Sequence, residues 1–365
     1  MKTAVAVSGG SDSLYALRAL KAAGHDLLAL HGRFISSCKD PLPVLRDQCA
    51  RLEVPLHVAD LRDAFTRRVI DPFVAAYAAG ETPNPCAHCN AAMKFGLLLD
   101  MAEDLGAQRL ATGHYAACAE HPAYGLTLRR AADPGRDQSY FLSLVPRDRL
   151  ARAVFPLAEL RKSAILGELA GQGTPLPEES REICFVQDDY RAFLEEHAER
   201  LPGPGPVCLR DGRVVGRHAG VWRYTEGQRR GLGLAWSEAL YVLHKDSAAN
   251  SLVVGPAEET RVHACRAAQC NVFVPRTQWP ERLFVRTRYK QEALAADVEM
   301  AEGVMQVRFH APQAICAPGQ IACVYDGDGW VLAAGLISSS TRASCRAVPL
   351  PRSQEDVRPP GGGSP

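Results

Sequence analysis

The chain has 365 residues, a formal net charge of +1, and hydrophobic and charged fractions of 47% and 23%. These values exclude general disorder and predict two or three globular domains. No apolar run approaches the roughly 20 residues that span a bilayer, and the first segment reads as a strand with no signal-peptide pattern, so the expected setting is cytoplasmic, without a membrane partner.

Short apolar runs alternate with helical patterns through the first third of the chain. They are Ala4 to Val7, then Leu14, Leu17 and Leu20 at helical spacing, Leu27 to Leu30, an amphipathic stretch around Val44 to Leu52, and Leu56 to Val58. A helix-like Leu61 to Ala79, a helix near Met93 to Leu105, and Arg109 to Thr112 follow. This alternation predicts an α/β domain over residues 1–135, built on an open parallel sheet whose ligands sit beyond the carboxyl ends of the strands. Residues 136–200 read as helical, with Gly171 as a helix stop and Thr174 to Pro177 as a connector. Leu201 to Pro206 contains three prolines, which lack the amide donor that a helix or central strand needs, and it marks a boundary. Strand patterns at Arg213 to Val215, Tyr241 to Leu243, Leu252 to Val254, Leu283 to Arg288 and Gln320 to Tyr325 predict a small β domain over 207–275 and a C-terminal β-barrel over 276–345. Residues 346–365, rich in Pro, Gly and charge, are expected to be disordered.

The segment Ser8-Gly9-Gly10-Ser11-Asp12-Ser13 lies between the first strand and the first helix. Its amides and hydroxyls there suit an anion, and the glycines let backbone approach phosphate. The plainer alternative is a Gly-Ser turn with Ser11 or Asp12 as a helix cap. No Gly-Lys-Ser/Thr follows, so this is not a Walker A loop. It resembles the SGGxDS loop of the ATP pyrophosphatases (the PP-loop group), which adenylylate a substrate and release pyrophosphate.

Twelve cysteines are present, and in a cytoplasmic chain close pairs point to redox, metal or nucleophilic chemistry before a disulfide framework. Thr82-Pro83-Asn84-Pro85-Cys86-Ala87-His88-Cys89-Asn90 sets a C-x-x-C before the expected helix at Met93, where a thiol tends to a lowered pKa. With Lys94-Phe95 it resembles the TPNPDxxCNxxIKF motif of the bacterial tRNA 2-thiouridylases, the MnmA family. Ala111 to Ala116 resembles ATGHYA, Arg136 to Leu142 resembles KDQSYFL, and Ser180 to Phe185 resembles the segment with the family's second catalytic cysteine. Further matches are Gly216 to Gly220, Tyr224 to Gly233, Arg286 to Gln291 and Pro318 to Gln320.

That resemblance implies an adenine-nucleotide alpha-hydrolase-like (PP-loop) domain, a helical middle segment carrying the second cysteine, and small C-terminal β-barrel domains. It implies ATP with Mg2+ as cofactors, bound by Ser8, Gly9, Gly10, Ser11, Asp12, Ser13, Gly32 and Gly113. Cys89 is implied as nucleophile and Cys184 as the persulfide carrier, the two closing a transient disulfide. Asn84, Pro85 and Cys86 would face the target base, and Arg136, Asp137, Gln138, Arg288 and Tyr289 would contact tRNA. A persulfide or sulfide donor protein is the second partner. The base would be flipped out so that ATP can adenylylate its C2 oxygen.

The chain departs from the family at Cys86, where the usual residue is Asp; a thiol, with an ordinary pKa of about 8.5 against roughly 3.9, replaces a carboxylate poorly. Cys86, Cys89 and Cys184 could instead hold a 4Fe-4S cluster through three irons, leaving the fourth open to sulfide. Zinc would need a fourth ligand, and His88 lies between the pair. Ser11, Glu226, Arg181-Glu182 and a shortened stretch around Phe34 to Asp40 also depart from the family pattern. Competing readings are an amidation-type adenylylating ligase, and a catalytically lapsed RNA-binding or iron-sulfur redox protein.

Overall fold

The computed structural model describes residues 1–36, 40–171, 183–186 and 189–341. Ser180, Arg181, Glu182, the connector at 174–177 and the tail at 346–365 lie outside the described residues.

The amino-terminal sheet has the order β3-β2-β1-β4-β7, with every pairing parallel. Its strands are β1 (Lys2–Ala6), β2 (Asp26–Arg33), β3 (Leu56–Asp60), β4 (Arg109–Ala111) and β7 (Ala153–Val154). Both faces are buried, which explains the continuous apolar runs. Ala4, Leu28 and Leu30 enter one core, while Val5, Leu27 and Ala29 enter the other with Leu14 and Leu17 of α1 (Ser11–Ala22) and Leu45 of α2 (Leu42–Arg51). Chain order reverses between β1 and β4, so the crevice for a ligand lies beyond the ends of these two strands.

Helices α3 (Arg62–Phe65) and α4 (Asp71–Ala78) are joined through a π-helical turn, Thr66–Ile70. Helix α5 (Pro85–Cys89) runs through a π-helical Asn90–Leu98 into α6 (Leu99–Asp104), with a kink at Gly96. The helical stretch therefore starts at Pro85, ahead of the expected Met93. Pro85 suits the first helical position, and Asn84 Oδ1 accepts the Ala87 N–H at 3.2 Å as the cap.

A hairpin of β5 (Ala116–His121) and β6 (Gly125–Arg130) was not foreseen. Residues 136–200 are also less independent than expected. Between α7 (Ser139–Leu142), α8 (Arg147–Leu150) and α9 (Lys162–Gly171), β7 returns to the edge of the first sheet; Gly171, the expected helix stop, is the last described residue before 183, and α10 (Tyr190–His197) follows.

A second sheet, ordered β10-β11-β8-β9, contains β8 (Gly205–Cys208), β9 (Val214–His218), β10 (Tyr241–Asp246) and β11 (Ser251–Gly255). A closed six-stranded barrel follows, ordered β12-β15-β14-β13-β16-β17. It comprises β12 (Arg261–Val272), β13 (Leu283–Arg286), β14 (Leu294–Ala301), β15 (Val304–Ala314), β16 (Ile321–Tyr325) and β17 (Val331–Thr341). The expected division at 275/276 is corrected here: β12 pairs with β15 and β17 and is a full barrel stave. Closure leaves no free sheet edge. One continuous core links Phe95, Leu98 and Leu99 to Val285, Ile321 and Val324, so barrel and amino-terminal α/β layer are packed as one body.

Candidate active site

The phosphate loop is organised by its own serines. Ser13 Oγ accepts the Ser8 N–H at 3.1 Å and donates to the Gly10 carbonyl at 2.9 Å, while Ser8 Oγ accepts the Gly10 N–H at 3.3 Å. Gly9 has φ of 87°, a left-handed conformation that favours glycine. The cap of α1 is Gly10, with no side-chain bond, so neither Ser11 nor Asp12 is spent on capping. Gly113, just past β4, packs against the start of α1, where a Cβ would lie 2.7 Å from the Asp12 carbonyl carbon. Gly32 lies near the end of β2, against Phe34 and Leu98. The loop and Gly113 thus meet on the carboxyl side of the sheet, while Gly32 lies near the same end of its strand with Phe34 and Leu98 as its neighbours.

Two residues there escaped sequence reasoning. Lys162, buried at the start of α9, donates from Nζ to Ser11 Oγ at 3.0 Å and to Asp12 Oδ1 at 2.7 Å. The Tyr115 hydroxyl donates to the same Asp12 oxygen at 2.8 Å. Burial and the adjacent carboxylate push the Tyr115 phenol well above its ordinary range. A lysine opening a helix opposes the helix dipole, and that was the available sequence signal.

Cys86, Cys89 and Cys184 are free thiols within each other's electrostatic reach. The lowered pKa expected at a helix amino terminus is corrected. Desolvation dominates, pushing Cys89 up to about 12 and raising Cys86 and also Cys184, whose residue surface reaches solvent while its sulfur is largely surrounded by protein. The positive charge of Lys94 opposes this at all three. Lys94 Nζ lies 3.2 Å from His114 Nε2, and His114 Nδ1 lies 2.8 Å from Thr112 Oγ1. An ammonium only donates, so Nε2 is the acceptor and Nδ1 carries the proton that goes to Thr112. Burial and Lys94 keep His114 neutral, well below the ordinary histidine range. Cys184 is exposed, but its neighbours Phe185 and Val186 are buried; Phe185 makes edge contacts with Phe65 and Phe73.

Among the described residues, no group of three or more His, Cys, Asp or Glu side chains is arranged to hold a metal ion. The 4Fe-4S expectation for Cys86, Cys89 and Cys184 does not fit this arrangement.

The residues expected to meet tRNA divide into two groups. Arg136 and Arg288 are exposed, and the half-buried Tyr289 ring lies tilted against Phe141, centroids 4.3 Å apart, within electrostatic reach of Cys86 and Arg136. Asp137 is different: its carboxylate is sequestered, taking Arg286 at 3.0 Å and Arg130 at 3.3 Å, the Ser139 N–H and hydroxyl, and the Ala131 N–H. A side chain so enclosed braces the barrel strand β13 against the β6–α7 connection, in place of the solvent-facing position that the tRNA expectation implied. Gln138 Oε1 accepts the Tyr115 N–H, and Asn84 and Pro85 are buried at the thiol helix. Glu226 is a buried carboxylate accepting the Lys245 N–H and facing His244 Nδ1, both at 3.3 Å. Burial lowers Lys245 to about 8, and its ammonium donates to Thr82 Oγ1 ahead of the thiol helix.

Three family profiles match in tandem: a tRNA methyl transferase HUP domain over residues 1–188, a tRNA methyl transferase PRC-barrel domain over 191–256, and an aminomethyltransferase beta-barrel domain over 262–337. The tRNA-specific 2-thiouridylase MnmA of Lawsonia intracellularis is 50% identical over 350 residues, covering 93% of this chain and 99% of that protein. The chain belongs to the tRNA-specific 2-thiouridylase family. The MnmA of Nitratidesulfovibrio vulgaris is 53% identical over 341 residues, with 92% and 99% covered. That of Desulfosudis oleivorans is 40% identical over 338 residues, with 92% and 94% covered. No helix among the described residues is long and apolar enough to cross a membrane.

Proposed function

We propose that the chain is an ATP-dependent tRNA-uridine 2-sulfurtransferase working by dithiol chemistry. The observation that carries it is the contact path joining the two halves of the site. Gly113 abuts the phosphate loop, and the next residue, His114, holds the Lys94 ammonium whose charge acts on all three thiols.

The uracil C2 oxygen attacks the α-phosphorus of ATP, the bond to the β-phosphate oxygen breaks, and pyrophosphate leaves. Asp12, the loop's carboxylate, would hold Mg2+, which supplies charge neutralisation for the phosphates. The terminal sulfur of a Cys184 persulfide then attacks C2, and AMP is expelled. The Cys89 thiolate attacks Cys184 Sγ, breaks the S–S bond and leaves sulfur on C2. An external thiol reductant then reduces the Cys89–Cys184 disulfide, returning both residues to free thiols. Lys94 favours each thiolate, and the exposure of Cys184 suits loading by a persulfide donor protein. Arg136, Arg288 and Tyr289 support tRNA docking through phosphate contact and base stacking.

The test is in vitro: unmodified tRNA, ATP, a persulfide donor and reductant, with nucleosides read by mass spectrometry. Wild type should yield 2-thiouridine and AMP, and Cys184→Ser should yield none while still binding ATP. No thiolated product from wild type would overturn the activity. Iron and labile sulfide in near-equal amounts in anaerobically purified protein would overturn the dithiol chemistry.

A further inference from the structure

Lys245 takes no part in the chemistry above, yet it is buried on β10, at the edge of the second sheet. Its ammonium donates to the Tyr224 carbonyl at 3.0 Å and to the Thr82 hydroxyl at 3.2 Å. A buried ammonium is unfavourable unless an anion and acceptors accompany it. Glu226, itself buried, supplies negative charge together with Glu81, the residue before Thr82. The Glu226 carboxylate also accepts the Lys245 N–H, and this glutamate is one of the positions at which the chain departs from the family pattern.

What Lys245 grips is the strap that leads into the thiol helix. The Thr82 N–H is accepted by the Pro318 carbonyl and the Thr82 carbonyl accepts from Gln320 Nε2, each at 2.8 Å. Ser247, two residues after Lys245, donates to the Ala79 carbonyl at 2.6 Å. Two residues past Thr82, Asn84 caps α5, the helix of Cys86 and Cys89. The barrel's contacts use the backbone of residue 82 and tolerate any side chain that fits, whereas the Lys245 contact requires the hydroxyl. Its enclosure keeps Lys245 from tRNA, so its reach to the site runs through Thr82.

We propose that Lys245 is a positioning residue for sulfur transfer: through the Thr82 hydroxyl it sets the start of the thiol helix, and with it the placement of Cys86 and Cys89. Glu226 keeps an anion beside that buried ammonium. A misplacement of about 1 Å at reacting atoms costs roughly 100-fold in rate, so a contact two residues before the helix cap has kinetic leverage. This rests on the proposed sulfurtransferase activity.

The experiment compares the full-length wild type with Lys245→Met, Thr82→Val and the double variant, by steady-state thiolation and by hydrogen exchange over residues 79–93. Melting temperatures verify folding. Lys245→Met should lower kcat about 10-fold with KM for ATP and tRNA within about twofold, and should speed exchange across Cys86–Cys89. Because both single changes remove one contact, the double variant should be no slower than Lys245→Met. A kcat within about twofold of wild type, a loss carried by KM, or losses that multiply in the double variant would each overturn the inference. If Lys245→Met does not fold, Thr82→Val decides by the same kcat and exchange criteria. A wild type that makes no 2-thiouridine counts against the activity itself; exchange then decides on Lys245 alone, and unchanged exchange across Cys86–Cys89 in the variant would refute it.

Discussion

Cys89 combines a nucleophile's assignment with a buried setting that holds its thiol near 12, with only Lys94 opposing. Below such a pKa the thiolate fraction grows about tenfold per pH unit. If Cys89 attack limits product formation, the single-turnover rate should rise steeply from pH 7 to 9 without levelling, as quench-flow and nucleoside mass spectrometry would reveal; a plateau below pH 8 would mean that the thiol is not held high. The two cysteines were legible because their flanking residues form ordered motifs. Their ionisation was not, since desolvation depends on neighbours distant in sequence. Lys162 was hidden for the same reason: its meaning comes from Asp12, on another element.

Elements position these side chains by packing. Cys184 itself packs little, while the following Phe185 enters a cluster with Phe65, Phe73 and Phe193. Phe185→Ala should cost about 3 kcal/mol of local packing, release the 183–186 segment to faster hydrogen exchange, and lower thiolation while leaving ATP binding intact. Unchanged exchange there would show that the ring does not anchor the thiol. Strands such as β13 and β16 were readable as compact apolar runs. Strand β12 was not, because its register slips against both neighbours and Gln269 adopts a positive φ of 51°, breaking the alternation that marks a stave.

Across the whole molecule, the barrel is welded by Arg286 of β13 to Asp137 in the connection between β6 and α7, an ion pair almost free of solvent. Arg286→Met should destabilise the protein by about 3 kcal/mol or more, since it leaves a buried carboxylate with less compensation. Denaturant titration measures this, and an unchanged midpoint would remove the weld from the account. Composition and strand spacing made the sequence of domains readable, but not this docking. Arg286 and Asp137 each lie in a motif whose resemblance suggested nucleic acid, and only burial shows that they face each other.

The strap before the thiol helix is gripped from the far end of the chain. The Thr82 N–H is accepted by the Pro318 carbonyl, and its own carbonyl accepts from Gln320 Nε2, 238 residues later. On a ribosome adding about 5 to 20 residues per second, residue 320 arrives about 10 to 50 s after residue 82. During that interval the nucleotide loop can form, but the strap before the sulfur-bearing helix lacks its clamp. Birth order thus staggers the two halves of the site: the loop after β1 is made early, and the strap before the thiol helix is braced only once residue 320 has been added.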